Sequence, residues 1–326
     1  VKAILPVAGK GTRLRPLAHT YPKALIPIAG RPMINWILDP LVEAGLDEAV
    51  FIVGWLGAEI EAHVRQHYHH LNLSFVPQGE MLGLGHAIFL GLQPGDQEVF
   101  IILGDTLFEA DIAAIRAAPH SVLGVKEVAD PRRFGVAELS QGRIVRLVEK
   151  PAEPRSNLAL IGLYNIKDGG TLHGVLERMI RDDIRTRGEY QITDALQQMI
   201  DRGHVFEPWG IEGWYDCGKK DTLLETNRHY LSRLDKRREA VRVGDSLLIP
   251  PVHVGEGVRL SRSIVGPNVS VGDGADIRDA VVEDSLLCEG VHLQGVVLKD
   301  AVLGRDALVR QPARALHLSD NTEVDG

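Results

Sequence analysis

Two textures of apolar and polar positions follow one another along this chain. Up to about residue 110, short apolar runs take turns with helical patterns. "KAILPVA" (2–8) reads as a buried strand. In "PMINWILDPLVEAG" (32–45), Met33, Ile34, Ile37, Leu38, Leu41 and Val42 fall on one helical face, and Gly45 marks the helix end. "EAVFIVG" (48–54), "LSFVP" (73–77) and "EVFIILGD" (98–105) predict further strands, and "AEIEAHVRQHY" (58–68) and "GLGHAIFLGL" (83–92) predict helices. Strands alternating with helices predict a Rossmann-like α/β fold, a mainly parallel sheet covered on both faces. From about 120 to 166 strand patterns dominate, in "SVLGVKEV", "FGVAEL", "RIVRLVEK" and "LALIGLYNI", so the sheet is expected to be mixed. Helical patterns return over 171–232, with one strand near "HVFEPW". The charged stretch "LETNRHYLSRLDKRREAVR" (224–242) predicts a helix that bridges to a second domain.

From residue 249 the texture changes. Val252, Val258 and Ile264 are six apart, as are Val265, Val271 and Ile277, and then Val291, Val297, Leu303 and Val309. Gly and small polar residues fill the intervals. One inward aliphatic per six residues predicts a parallel β-helix of about three coils. A small antiparallel sheet with Gly-rich turns is the alternative. The expected division is 1–240 for the α/β domain and 241–326 for the repeats.

Composition enters next, because one region departs from the whole. The net charge of -8 argues against a general nucleic-acid or membrane-surface binder. Yet Lys2, Lys10, Arg13, Arg15, Lys23 and Arg31 precede the first carboxylate, Asp39. They surround "VAGKGTR", where Ala8, Gly9, Gly11 and Thr12 form a glycine-rich turn after a strand. Such a turn before a helix lets backbone N–H groups converge on phosphate oxygens. Arg13 can hold a phosphate through paired hydrogen bonds, and Lys23 adds a point charge. The pattern is neither GxGxxG nor GxxxxGK[ST]. The two cysteines, Cys217 and Cys288, offer no disulfide framework and no metal cluster, which suits a reducing cytoplasm. "AILPVA" is too short for a signal peptide, and no apolar run reaches the ~18 residues of a membrane span.

The full string, G-x-G-T-R-L-x-P-L followed by Pro22-Lys23, resembles the sugar-nucleotidyltransferase signature. The resemblance continues through "LGLGHA" (82–87), "LGD" (103–105), "FGV" (134–136), "EKPAEPRSNLALIGLY" (149–164), "RGEYQITDA" (187–195) and "GWYDCGKKDTLLETN" (213–227). These are similar to segments of glucose-1-phosphate thymidylyltransferases, and the repeats to the tail of their longer variety. The resemblance therefore implies the nucleotidyltransferase fold with a left-handed β-helix. It implies transfer of a nucleotidyl group from dTTP to glucose-1-phosphate, giving dTDP-glucose and pyrophosphate. The opening cations then face a triphosphate, which a neighbouring carboxylate would repel.

The resemblance also implies roles. Asp105 and Asp216 hold Mg²⁺, which needs only one or two protein carboxylates. Arg13 binds the leaving phosphates and Lys23 the α-phosphate region. Lys150 holds the sugar phosphate and Glu149 a sugar hydroxyl. Gly135 and Gly162 let backbone approach the sugar, Tyr164 and Trp214 wall its pocket, and Arg187 adds a phosphate contact. Gln78, five residues before Gly83, pairs with a pyrimidine edge. The family more often has Asn where this chain has Thr106 and Thr where it has Cys217, so the side-chain contacts around the two aspartates are expected to differ here. A UTP-dependent uridylyltransferase is the nearest rival, because one methyl is worth only ~1–3 kcal/mol. A regulatory subunit of the same fold without catalysis is another, and retention of Arg13, Lys23, Asp105, Lys150 and Asp216 together counts against it. His67, His69 and His70 read as a solvated helix end. His253 and His292 lie in too short a repeat stretch to suggest an acyltransferase. The repeats are assigned to assembly of a homo-oligomer, since short solenoids need capping or partners.

Overall fold

The computed structural model describes residues 1–311. The chain divides into two compact units, Val1–Thr226 and Asn227–Gly326. The elements of the first unit are β1 (Lys2–Pro6), β2 (Pro27–Ile28), β3 (Arg31–Pro32), α1 (Met33–Glu43), β4 (Glu48–Val53), α2 (Gly57–His67), β5 (Asn72–Pro77), α3 (Leu84–Gly91), β6 (Val99–Ile102), β7 (Thr106–Glu109), α4 (Ile112–Ala117), β8 (Ser121–Glu127), β9 (Gly135–Ser140), β10 (Arg143–Glu149), β11 (Leu158–Ile166), α5 (Gly169–Arg181), α6 (Ile192–Ile200), β12 (Phe206–Gly210) and β13 (Gly213–Asp216). The helix α7 (Lys220–Leu234) runs across the division. No helix among the described residues is long and apolar enough to cross a membrane.

A nine-stranded sheet in the order β5-β4-β1-β6-β11-β8-β12-β10-β9 forms the centre of the first unit. β5, β4, β1 and β6 run parallel, β11 is antiparallel to β6 and β8, and β12 returns parallel to β8. The buried strand predicted from "KAILPVA" is central: Ala3, Ile4 and Leu5 have no exposed surface. The face predicted for α1 is also the one it buries, through Met33, Ile34, Ile37, Leu38 and Leu41, while Val42 is half-buried. Helices α3, α5 and α6 pack a core of Ile88, Leu172, Leu176, Leu196 and Met199 against Ile4, Ile101 and Leu123.

The parallel strands fix where ligands can bind, beyond their carboxyl ends. β5 runs out into Gln78, β4 into Gly54, β1 into Ala8 and β6 into Asp105. Gly54 must lack a side chain, because a Cβ there would lie 2.7 Å from the Ala8 carbonyl oxygen. The short strands β7 and β13 pair antiparallel, with Asp216 opposite Thr106.

The second unit is a parallel β-helix. Leu247 pairs with Ile264, Ile264 with Val281 and Val281 with Val297, all parallel. Two further columns run through Val254, Val271, Leu287 and Leu303, and through Arg259, Asp276, His292 and Leu308. The unit begins inside α7, ahead of the expected boundary at 240. Asn227 and Arg228 explain this, since Ser270 donates to Asn227 at 2.7 Å and Arg228 binds Asp284 at 2.8 Å.

The six-residue register holds in the middle of the repeats and slips elsewhere. Val252, Val265, Val271, Ile277 and Val291 are buried as expected. Ile264 and Val297 are not: they are 37% and 75% exposed. Successive coils are offset by 17 residues and then by 16, rather than three whole hexads. At the corners, buried Ser263 and Ser285 donate to backbone carbonyls and receive the amides of Ala280 and Ala301. Strand alternation then turns Ile264 outward and Val265 inward, and likewise Val297 outward beside buried Val296. Val265→Ala is therefore expected to cost about 2 kcal/mol, while Val297→Ala stays within about 0.5 kcal/mol. Urea unfolding of the two variants measures the difference.

Candidate functional site

The opening loop takes its shape from Gly11. Its φ of 57° lies in the left-handed region, and an added Cβ would meet the Ala18 Cβ at 2.9 Å. The sequence reading placed a helix directly after this turn. Instead, three single 3-10 turns follow, Thr12–Leu14, Leu17–His19 and Lys23–Leu25, and the first α-helix begins at Met33. Pro16 and Pro22 explain the correction: neither has an N–H for an α-helical ladder. The folding-back has a consequence for charge, since it returns Lys23 to the loop it left.

A cavity of about 400 Å³ opens over the carboxyl ends of the parallel strands. Of the site residues expected from sequence, Ala8, Gly9, Gly11, Thr12, Arg13, Lys23, Gln78, Gly83 and Asp105 line it. The Lys23 ammonium lies 2.8 Å from Asp105 Oδ2. Partial burial by itself would raise the Asp105 pKa. The charge and hydrogen bond of Lys23, the Thr106 hydroxyl and the charge of Arg13 outweigh it, so the carboxyl is held below its ordinary value. Thr106 donates to Asp105 Oδ1 at 3.3 Å, so the departure from Asn keeps a donor in place.

Asp216 reaches the same place by another route. The β7–β13 pairing sets it opposite Thr106, and the Cys217 amide donates to the Asp105 carbonyl at 3.1 Å. Gly218 lines the cavity, and a Cβ on it would come within 2.7 Å of Asp216 Oδ1 and 3.1 Å of Arg13 Nη2. Cys217 is turned away into the interior, its thiol 3.6 Å from Thr226 Oγ1. Burial pushes that thiol up to about 12, so it stays protonated and unreactive.

The remaining expected residues form a second group that adjoins the cavity without lining it. Glu149 accepts from Thr193 Oγ1 at 2.7 Å and lies 3.2 Å from the Lys150 ammonium. Arg187 donates to the Lys150 carbonyl at 2.7 Å. Gly135 sits where a Cβ would lie 2.8 Å from Thr193 Oγ1 and 3.2 Å from Glu149 Oε2. Trp214 meets Phe134 edge-to-face at 5.4 Å, and its buried indole N–H has no acceptor among the described residues. The two groups touch through Leu103, a cavity residue whose amide donates to the Gly162 carbonyl at 3.0 Å.

Two assignments change character. Tyr164, expected as a wall, is 3% exposed and belongs to the core; burial and the nearby Glu149 charge raise its pKa. Gly162, expected to admit the sugar, has φ 79°, and a Cβ there would lie 2.5 Å from the Leu103 side chain. Its lack of a side chain serves packing. Thr193, Glu189 and Gly218 were missed. Each lies inside a quoted segment, but only the tertiary structure shows that Thr193 grips Glu149 and that Glu189 lines the cavity.

The model of the nucleotidyl transferase family matches residues 2–233. A glucose-1-phosphate thymidylyltransferase of Streptomyces griseus is 33% identical over 97% of this chain and 96% of its own. A UTP–glucose-1-phosphate uridylyltransferase of Haloferax volcanii is 30% identical over 66% of this chain and 89% of its own. The crystal structure of a UDP-glucose pyrophosphorylase complexed with UDP-glucose superposes with a TM-score of 0.62 at 27% identity, covering 71% of this chain and 98% of that one. The chain belongs to the nucleotidyl transferase family.

Gly218→Ala tests the geometry directly. The added methyl must displace Asp216 or Arg13, so nucleoside triphosphate binding measured by calorimetry is expected to weaken about tenfold or more, with the unfolding midpoint little changed.

Proposed function

We propose that this nucleotidyl transferase joins dTTP and glucose-1-phosphate to give dTDP-glucose and pyrophosphate. The observation that carries the reading is the charge layout of the cavity. Arg13 and Lys23 line it from the segment after β1 and Asp105 from the end of the neighbouring strand β6, with Asp216 beside Arg13. Such a layout suits a polyanion brought in with a divalent cation, and the second group beside it suits a sugar phosphate.

In the proposed reaction a sugar-phosphate oxygen attacks the α-phosphorus in line. The new P–O bond forms as the bond to the β-phosphate oxygen breaks, and pyrophosphate leaves with that electron pair. The nucleophile is already an anion, so no general base is needed. What the residues must supply is alignment and positive charge. In this reading Arg13 takes the β- and γ-phosphates and the amides of Ala8, Gly9, Gly11 and Thr12 their oxygens, which their lining of the cavity supports. Lys23 balances Asp105 in the free protein and is within reach of the α-phosphate region. Lys150 holds the sugar phosphate, its carbonyl pinned by Arg187. Glu149, oriented by Thr193, accepts from a sugar hydroxyl. The unpaired Trp214 N–H supports a further acceptor on the sugar side.

Asp105 and Asp216 fit Mg²⁺: hard carboxylate oxygens at adjoining strand ends, with no third His, Cys, Asp or Glu grouped with them among the described residues. When bound, the ion neutralises phosphate charge.

The choice of dTTP is supported by the thymidylyltransferase relative that matches almost the whole chain. UTP is the second reading, supported by the uridylyltransferase relative and by the UDP-glucose-bound structure. We assign the repeats to homo-oligomer assembly, supported by the outward column of Ile264, Val281 and Val297. Two free, buried cysteines suit a cytoplasmic setting.

Pyrophosphate release with glucose-1-phosphate and each of dTTP, UTP, CTP, GTP and ATP tests the reading; dTTP is expected to lead with UTP second. Release with none of them refutes it. Arg13→Ala should lower kcat by about two orders of magnitude or more at unchanged stability. Chelation by EDTA should abolish turnover, and Asp216→Asn should raise the Mg²⁺ concentration needed for half-maximal rate. Full wild-type rate in chelator contradicts the carboxylate assignment.

A further inference from the structure

Behind Gln78 lies His86, which stands in the quoted segment "LGLGHA" without a role of its own. Gln78 lines the cavity and is 8% exposed. Its amide nitrogen donates to the Gly83 carbonyl at 3.4 Å and to His86 Nδ1 at 3.5 Å. Both amide hydrogens are thereby engaged within the protein. Oε1 takes no donor among the described residues and is not among the atoms sealed from solvent, so it is the atom left to face the cavity.

His86 is held in the state this needs. Burial lowers its pKa, while the charge of Glu80 and a hydrogen bond to the Glu80 backbone act the other way. The net direction is down, so the ring is neutral at neutral pH. A bond that favours the protonated ring is one in which the ring donates. With Nδ1 receiving Gln78, the single ring proton sits on Nε2, and the Glu80 backbone acts on the ring in the sense that favours a proton there. One imidazole therefore joins the base-facing amide to the loop 79–83, whose Met81 and Gly83 also line the cavity.

We propose that His86 is a positioning residue for base selection: by accepting from the Gln78 amide it fixes Oε1 toward the cavity as a hydrogen-bond acceptor. The inference rests on the nucleotidyl-transfer reading above. An acceptor at that point matches the N3–H of thymine or uracil and opposes the N3 lone pair of cytosine. Without His86 the amide is free to turn over and offer its N–H to cytosine instead.

Three substitutions separate the contacts. His86→Phe keeps a ring and loses both bonds. His86→Asn keeps an acceptor near the Nδ1 position. His86→Gln keeps a donor near the Nε2 position. The readout is the ratio of kcat/KM for dTTP to that for CTP, with folding checked by circular dichroism. His86→Phe and His86→Gln are expected to lower the ratio about tenfold, the scale of one hydrogen-bond preference, and His86→Asn to restore most of it. In a Gln78→Ala background, His86→Phe is expected to change the ratio no further. An unchanged ratio in folded His86→Phe, or an equal fall with and without Gln78, overturns the proposal while leaving the function intact. A wild-type protein that transfers no pyrimidine nucleotide overturns both.

Discussion

The ion pair between Lys23 and Asp105 closes the site. One partner comes from the segment after β1, the other from the end of β6, and they meet at 2.8 Å above adjacent strands. Neither charge could be concentrated there alone. A cationic loop without a carboxylate would repel itself in the free protein, and a half-buried carboxylate without a cation would drift toward its neutral form. The pair is partly open to solvent, so its value lies less in stability than in keeping the Asp105 carboxylate ionised and both groups aimed before a ligand arrives. The rest of the first unit serves that meeting. Parallel strands align the loop ends, Gly11 lets the chain fold back, and the β7–β13 pairing brings Asp216 alongside.

What the sequence made legible is what depends on local pattern. "KAILPVA" announced β1, the apolar face of α1 was correct at five buried positions, and the glycines and cations of 8–23 marked a turn that lines the cavity. Asp105 was visible because it ends a strand in a parallel sheet, an address that already points to ligands. The notional helix after the glycine loop failed because the prolines beyond Arg13 forbid it.

Other features were hidden because they depend on what lies across space. Tyr164 and Gly162 sit in a quoted motif, but the burial of Tyr164 in the core and the Leu103 side chain against Gly162 decide that they serve the interior. The β-helix register was legible for Val265 to Ile277 and not for Ile264 or Val297, since corner serines, not hexad counting, set which neighbour turns inward. His86 stood in the quoted segment "LGLGHA" without a role: a histidine on a short apolar helix acquires one only from the Gln78 amide beside it.

The most direct test of the account is a crystal structure of the protein with dTTP, glucose-1-phosphate and Mg²⁺, or with the product they form. The account predicts nucleotide density in the cavity over β1 and β6, the base against Gln78, the phosphates between Arg13 and Asp105, and the sugar beside Glu149 and Lys150. Density for the nucleotide elsewhere, or a bound phosphate chain that leaves Arg13 and Lys23 without contact, would contradict it.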